Sequence, residues 1–291
     1  MGSEAAQRSG IGGGAGGAGR LPTFLIVGAP KSGTTSLAAY LAEHPDVFVS
    51  AEKELHFFDN HFDRGVDWYR SNFAEGAGAR AVGEASPTYY LHPQAIERMA
   101  ALVPDARLIA LLRDPVEAAW SNYWMQRSLG FERRPFDEAV RDELERRDTG
   151  RAIRYIFGGR YVEHLQGLCE RYPREALLVQ LFDDLRDSPG ATFAAACRHV
   201  GVDETYAPET IGAVVNPSTR LRSERLRRFM LKHHAWKRLP FRLAMAIDRL
   251  NRVEARYPPM DARVRSTLAD LYAEPNRSLA RWLGRDLSTW S

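Results

Sequence analysis

Thr23-Phe-Leu-Ile-Val-Gly-Ala-Pro-Lys-Ser-Gly-Thr-Thr-Ser36 is the stretch on which the fold turns. Thr23–Gly28 is a short apolar run that ends on glycine, the pattern of a buried strand. From Thr34 the period changes. Leu37, Tyr40 and Leu41 fall at i, i+3 and i+4, which predicts a helix to about His44, stopped by Pro45. A glycine-containing loop between strand and helix turns backbone N–H groups outward, and the helix N-terminus adds partial positive charge. Lys31 adds a full charge, and Ser32, Thr34, Thr35 and Ser36 add hydroxyls around Gly33. Together they read as a phosphate cradle. A plain turn of small polar residues is the alternative, and Lys31 argues against it.

Outward from this unit, Val47–Val49, Ala81–Glu84, Arg107–Arg113 and Ala176–Leu181 read as further strands. Asp114-Pro115 is an N-cap and first-turn signature for a helix through Trp120 and Tyr123. Helices are expected over roughly Ile156–Tyr172 and Pro189–Val200, and the last hundred residues read as mostly helical. Strands alternating with amphipathic helices imply an α/β fold, a parallel sheet flanked by helices, with a helical C-terminal region. Residues 1–20 are glycine-rich with almost no large apolar side chain and read as a disordered tail. Residues 21–291 then read as one domain.

Composition narrows the function. The chain has 291 residues, of which 44% are hydrophobic and 26% charged, an ordinary globular balance. Two cysteines, Cys169 and Cys197, in no motif spacing exclude a disulfide scaffold and a cysteine zinc site. No apolar run is long enough to span a membrane, and no secretory signal pattern opens the chain, so a cytoplasmic protein is expected. Net charge is +3, but Arg220–Arg256 holds 12 Lys/Arg against three acids. That basic segment, 220–256, reads as a lid, a dimer surface, a membrane-surface helix or a packed helical subdomain.

The cradle departs from the NTPase loop G-x-x-x-x-G-K-[ST], because Lys31 precedes Gly33. The strand at Arg107–Asp114 ends in Arg-Asp-Pro, not in a magnesium-holding aspartate. Pro30-Lys-Ser-Gly-Thr-Thr35 resembles the 5′-phosphosulfate loop of sulfotransferases that use 3′-phosphoadenosine 5′-phosphosulfate (PAPS). Leu112-Arg-Asp-Pro-Val-Glu-Ala-Ala-Trp-Ser-Asn-Tyr123 resembles their 3′-phosphate site, with Arg113 at a strand end and Ser121 two turns along the next helix. Glu52-Lys-Glu-Leu-His-Phe-Phe-Asp59 resembles a motif of the branch containing heparan sulfate sulfotransferases and bacterial relatives. Gly83-Glu-Ala-Ser-Pro-Thr-Tyr89 fits as well, with Ala85 where the heparan enzymes carry a lysine.

The resemblance implies a P-loop-like sulfotransferase fold and a PAPS cofactor that leaves as adenosine 3′,5′-bisphosphate (PAP), with no metal expected. It implies that Glu54 is the general base, with His56 nearby and itself a candidate for that role. Lys31 would stabilise the leaving phosphate, and the cradle residues with Arg113, Ser121 and Arg222 would hold the cofactor. The acceptor reads as a hydroxyl of a small molecule or glycan, with secondary metabolism as a setting and a homodimer as an option. Nucleic acid is not expected. A magnesium-dependent ATP kinase and a non-catalytic binder of anionic polymers are the rival readings.

Overall fold

A computed structural model gives the structure of residues 19–145, 155–213, 219–223, 226, 241–254 and 257–290. In chain order the elements are β1 (Phe24–Gly28), α1 (Thr34–Ala42), β2 (Val47–Val49), α2 (Val66–Ser71), β3 (Ala81–Ala85), α3 (Pro93–Leu102), β4 (Arg107–Leu112) and α4 (Pro115–Leu129). They continue with α5 (Phe136–Glu145), α6 (Tyr161–Cys169), β5 (Leu177–Leu181), α7 (Phe182–Asp187), α8 (Pro189–Val200), β6 (Thr219–Leu221), α9 (Phe241–Asn251), β7 (Arg252–Glu254) and α10 (Ala262–Leu283).

The main sheet has five strands in the order β2-β3-β1-β4-β5, and every pairing is parallel. All five residues of β1 are buried, as a central strand covered on both faces requires. Successive side chains alternate between the two faces. Leu25 and Val27, with Leu108, Ala110 and Leu112 of β4, join the core made with α2, α3, α6 and α10. Phe24 and Ile26, with Ile109 and Leu111, join the opposite core made with α1 and α8. A third cluster binds α4, α5 and α10 through Val116, Tyr123, Phe136, Leu268 and Tyr272.

Strand order reverses between β1 and β4, and in an open parallel sheet that crevice at the strand ends is where ligands bind. Arg113 leaves β4 there, and Asp114 caps α4 by accepting from the Val116 amide at 2.9 Å. β1 slips register between Ile26 and Gly28 as it runs into the Lys31 loop.

Three details differ from the sequence expectation. The helix expected over Ile156–Tyr172 is a 3-10 turn at Phe157–Gly159 followed by α6. Gly158 and Gly159 are poor helix formers. A Cβ on Gly159 would meet the Tyr272 phenol oxygen at 2.6 Å and Pro115 at 2.7 Å. The C-terminal third also contains an antiparallel pair, β6 with β7, where Arg220 lies opposite Val253. Its strands have three residues each and too little pattern to announce them. Finally, order begins before Leu21. Arg20 donates to the Ala79 carbonyl at 2.8 Å, and Gly19 sits so near Arg70 that a Cβ would overlap its carbonyl oxygen. The rest of the 1–20 tail, and residues 224–225, 227–240 and 255–256 of the basic segment, lie outside the described residues.

Candidate active site

The loop after β1 is shaped by two residues in left-handed backbone conformation, Lys31 at φ 68° and Gly33 at φ 89°. Glycine is required at position 33 twice over. The φ favours it, and a Cβ would come within 2.7 Å of Leu185 on α7. Gly33 is the N-cap of α1 and supplies no side-chain cap, so the first-turn amides of Thr34 and Thr35 remain available to a ligand. The Ser32 hydroxyl is buried and makes no hydrogen bond among the described residues, although the Tyr161 phenol lies beside it.

Two cations converge on this loop. Arg113 Nη1 donates to the Lys31 carbonyl at 3.3 Å, and its guanidinium lies over the Phe182 ring at 4.7 Å. Glu117 stands 3.8 Å from Arg113 but also pairs with Arg265. Lys31 Nζ donates to Met125 Sδ at 3.7 Å, and among the described residues no carboxylate is in ion-pair contact with it. Burial first, and Arg113 second, pull the Lys31 amine below its ordinary value. Such a cluster favours an anionic ligand. The unpartnered hydroxyl, the open amides and the weakly compensated cations fit a bound phosphate or sulfate group.

Glu54 and His56 stand nearby, both in left-handed backbone, at φ 54° and 49°. Lys31 and Glu54 are within electrostatic reach, each acting on the other's protonation. His56 lies between two carboxylates. Nε2 is 3.5 Å from Glu54, and Nδ1 is 3.1 Å from Asp59. Thr88 donates to Asp59 at 2.6 Å. The hydrogen bonds to Asp59 and to Glu54 raise His56 to about 10, against the opposing effect of burial. Glu54 is pulled below the usual carboxylate range, chiefly by its bond to His56, while 42% of its side chain stays exposed. At neutral pH this is an imidazolium flanked by two carboxylates.

A buried acid supports the pair from beneath. Glu84 on β3 accepts from Ser86 at 2.6 Å, Tyr69 at 2.7 Å and Tyr89 at 2.9 Å. Ser86 in turn receives the His56 amide at 3.1 Å, and Tyr89 receives the Phe57 amide at 2.8 Å. The segment carrying Glu54 and His56 is thereby tied to the sheet. Asp59, Thr88 and Glu84 were not singled out as site residues from the sequence. An acid inside the apolar run Ala81–Ala85, followed by two tyrosines, was the available signal.

Beside the loop lies a cavity of about 450 Å³, whose lining includes Pro30, Thr88, Asn122, Met125, Tyr155 and Phe157. Ser121 is buried on α4, the helix that also carries Asn122 and Met125. Thus Lys31 to Ser36, Arg113, Glu54 and His56 share one crevice, with Ser121 on its flanking helix. Arg222 is not drawn into contact with them. Its side chain is exposed, and its amide bonds the Asn251 carbonyl at 2.8 Å, although β6 runs beside α4.

A family profile described as "Sulfotransferase domain" matches residues 21–233. The chain belongs to the sulfotransferase family. This family member is 30% identical over 292 residues to the human bifunctional heparan sulfate N-deacetylase/N-sulfotransferase 3, covering 93% of this chain and 31% of that protein. It is 36% identical over 116 residues to the membrane-associated sulfotransferase kil1 of Dictyostelium discoideum, covering 37% of this chain and 25% of that one. The chain spans under a third of the length of these curated relatives. The crystal structure of a sulfotransferase from Alicyclobacillus acidocaldarius matches with a TM-score of 0.72 at 27% identity, covering 93% of this chain and 99% of that one. Among the described residues, no helix is long and apolar enough to cross a membrane.

Proposed function

We propose that the chain transfers a sulfuryl group from PAPS to a hydroxyl, with Glu54 as the base. The observation that carries this reading is the meeting of Arg113 with the Lys31 loop, whose Ser32 hydroxyl is buried, and an ionised Glu54 in electrostatic reach of Lys31. Lys31, Ser32, Gly33, Thr34, Thr35 and Ser36 would hold the 5′-phosphosulfate end of the cofactor. Arg113 and Ser121 would hold the 3′-phosphate. When bound, PAPS supplies the sulfuryl group: the sulfur–acceptor oxygen bond forms as the sulfur–phosphate oxygen bond breaks, and PAP keeps the electron pair.

The chain's own residues handle the proton and the charge. Glu54 is exposed towards solvent and held ionised, so it can take the acceptor's proton as attack proceeds. His56 is a poorer base, because at about 10 it already carries its proton at neutral pH. Its task is to orient Glu54 and hold it charged. Lys31 is the group poised to stabilise negative charge on the departing phosphate, and preorganised charge in a partly buried crevice is effective for this. The cavity beside Met125 and Tyr155 is the place for the acceptor.

Calorimetric titration with PAP in chelator, with ATP and magnesium as the comparison, tests the cofactor. Metal-independent PAP binding that Arg113→Ala weakens is the expected result. ATP binding that needs magnesium, with no PAP binding, would replace this reading with a kinase.

A further inference from the structure

We propose that Glu84 is a positioning residue: through the Ser86 and Tyr89 hydroxyls that it aligns, it sets the backbone of the Glu54–His56 segment. This rests on the sulfuryl-transfer reading only for the task that Glu54 performs. The geometry of the segment carries the rest.

Glu84 stands near the end of β3, two residues beyond Val82, and so turns to the same core, the one made with α2, α3, α6 and α10. It is 1% exposed. An acid in such a place lowers stability unless its oxygens are hydrogen-bonded. Tyr69 and Tyr89 donate to Oε1 at 2.7 and 2.9 Å, and Ser86 donates to Oε2 at 2.6 Å. Burial pushes the carboxyl above its usual range, and these three bonds, with His56 in electrostatic reach, work against that.

A hydroxyl has one hydrogen and two lone pairs. Ser86 and Tyr89 give their hydrogens to Glu84, which leaves them only lone pairs to offer elsewhere. Ser86 Oγ accepts from the His56 amide at 3.1 Å, and the Tyr89 phenol accepts from the Phe57 amide at 2.8 Å. One carboxylate thus fixes two consecutive backbone amides through two hydroxyls. The segment needs this. Glu54 and His56 are both left-handed, and neither is glycine. Such backbone persists where its surroundings over-determine it. The amides of Asn60 and His61 both bond the His56 carbonyl at 2.9 Å, so His56 is held at its amide and at its carbonyl. Its ring is thereby delivered between Glu54 and Asp59. Tyr69 supplies the contrast. Its phenol bonds Glu84 equally well, but among the described residues it receives no backbone amide.

NMR of the full chain tests this, with amide hydrogen exchange and His56 imidazole titration as readouts and thermal melting alongside. Ser86→Ala should speed exchange at the His56 amide about tenfold or more. It should also lower the His56 value from about 10 by roughly one pH unit or more. Tyr89→Phe should speed exchange at the Phe57 amide about tenfold or more. Glu84→Gln replaces one acceptor oxygen by a donor, so both amides should exchange faster. Tyr69→Phe removes a bond to the same carboxylate and should lower the melting temperature, yet leave both amides and the His56 value unchanged. Should Glu84→Gln fail to fold, the three hydroxyl variants still decide. The proposal fails if Ser86→Ala and Tyr89→Phe leave the two amides and His56 as they were. It also fails if Tyr69→Phe alters them as much, because Glu84 would then be a core contact and nothing more. Absence of PAP binding by the unchanged protein would overturn the donor assignment separately, and the NMR measurements need no cofactor.

Discussion

His56 holds its proton because Asp59 and Glu54 both face it, and that proton in turn keeps Glu54 ionised. Removing one member should be visible in the others. Asp59→Asn is expected to bring the His56 value down from about 10 towards 6.5, measurable by NMR titration of the imidazole. The stability consequence has a definite sign. A value raised in the folded state stabilises fully below the unfolded value of 6.5, and the contribution fades as pH rises towards about 10. Denaturation midpoints should therefore fall over that window, and less steeply in Asp59→Asn. For activity, Glu54→Gln should lower turnover about 10²- to 10⁴-fold, the usual worth of a positioned base. His56→Ala should move the acidic limb of the pH–rate profile upward, because Glu54 loses the partner that depresses it. An unmoved limb would dissociate Glu54 from that limb.

At the scale of elements, the crevice depends on contacts between neighbours that are distant in sequence. α7 places Leu185 and Phe182 against Gly33, and Phe182 also lies under Arg113. Gly33→Ala should consequently strain the loop by roughly 1–3 kcal/mol and weaken PAP, with thermal melting and calorimetry as the two readouts. Glu143 of α5 holds three successive amides before α6, so Glu143→Ala should destabilise the fold by roughly 2 kcal/mol or more by leaving them without their charged acceptor. What was legible in the sequence follows the same division. β1, β4 and the Asp114-Pro115 cap are local patterns, and each stands within a residue or two of its expected place. The loop after β1 was likewise readable as a short motif, whereas Glu54 and His56 were reached through the resemblance of Glu52–Asp59 to a family motif. The Asp59–Thr88 bond, the His56–Ser86 bond and the β6–β7 pair were not, because each joins residues 29 or more apart that no periodicity connects.

Taken whole, the molecule brings its basic crevice to the switch point of a sheet whose first strand lies at the centre. β1 is hydrogen-bonded on one side to β3 and on the other to β4, with Phe24 opposite both Gly83 and Arg107. A chain emerging from the ribosome thus makes the Lys31 loop before the two strands that flank it. Until residue 112 has appeared, β1 has at most one flank, and Lys31 has no Arg113 beside it. Long-range pairing of this kind is slow, since loop closure must precede its reward. In refolding, helical signal should return ahead of PAP binding, and the lag should shrink little on raising PAP concentration. Within this domain, the loop translated early is completed only when strands far downstream have joined the sheet.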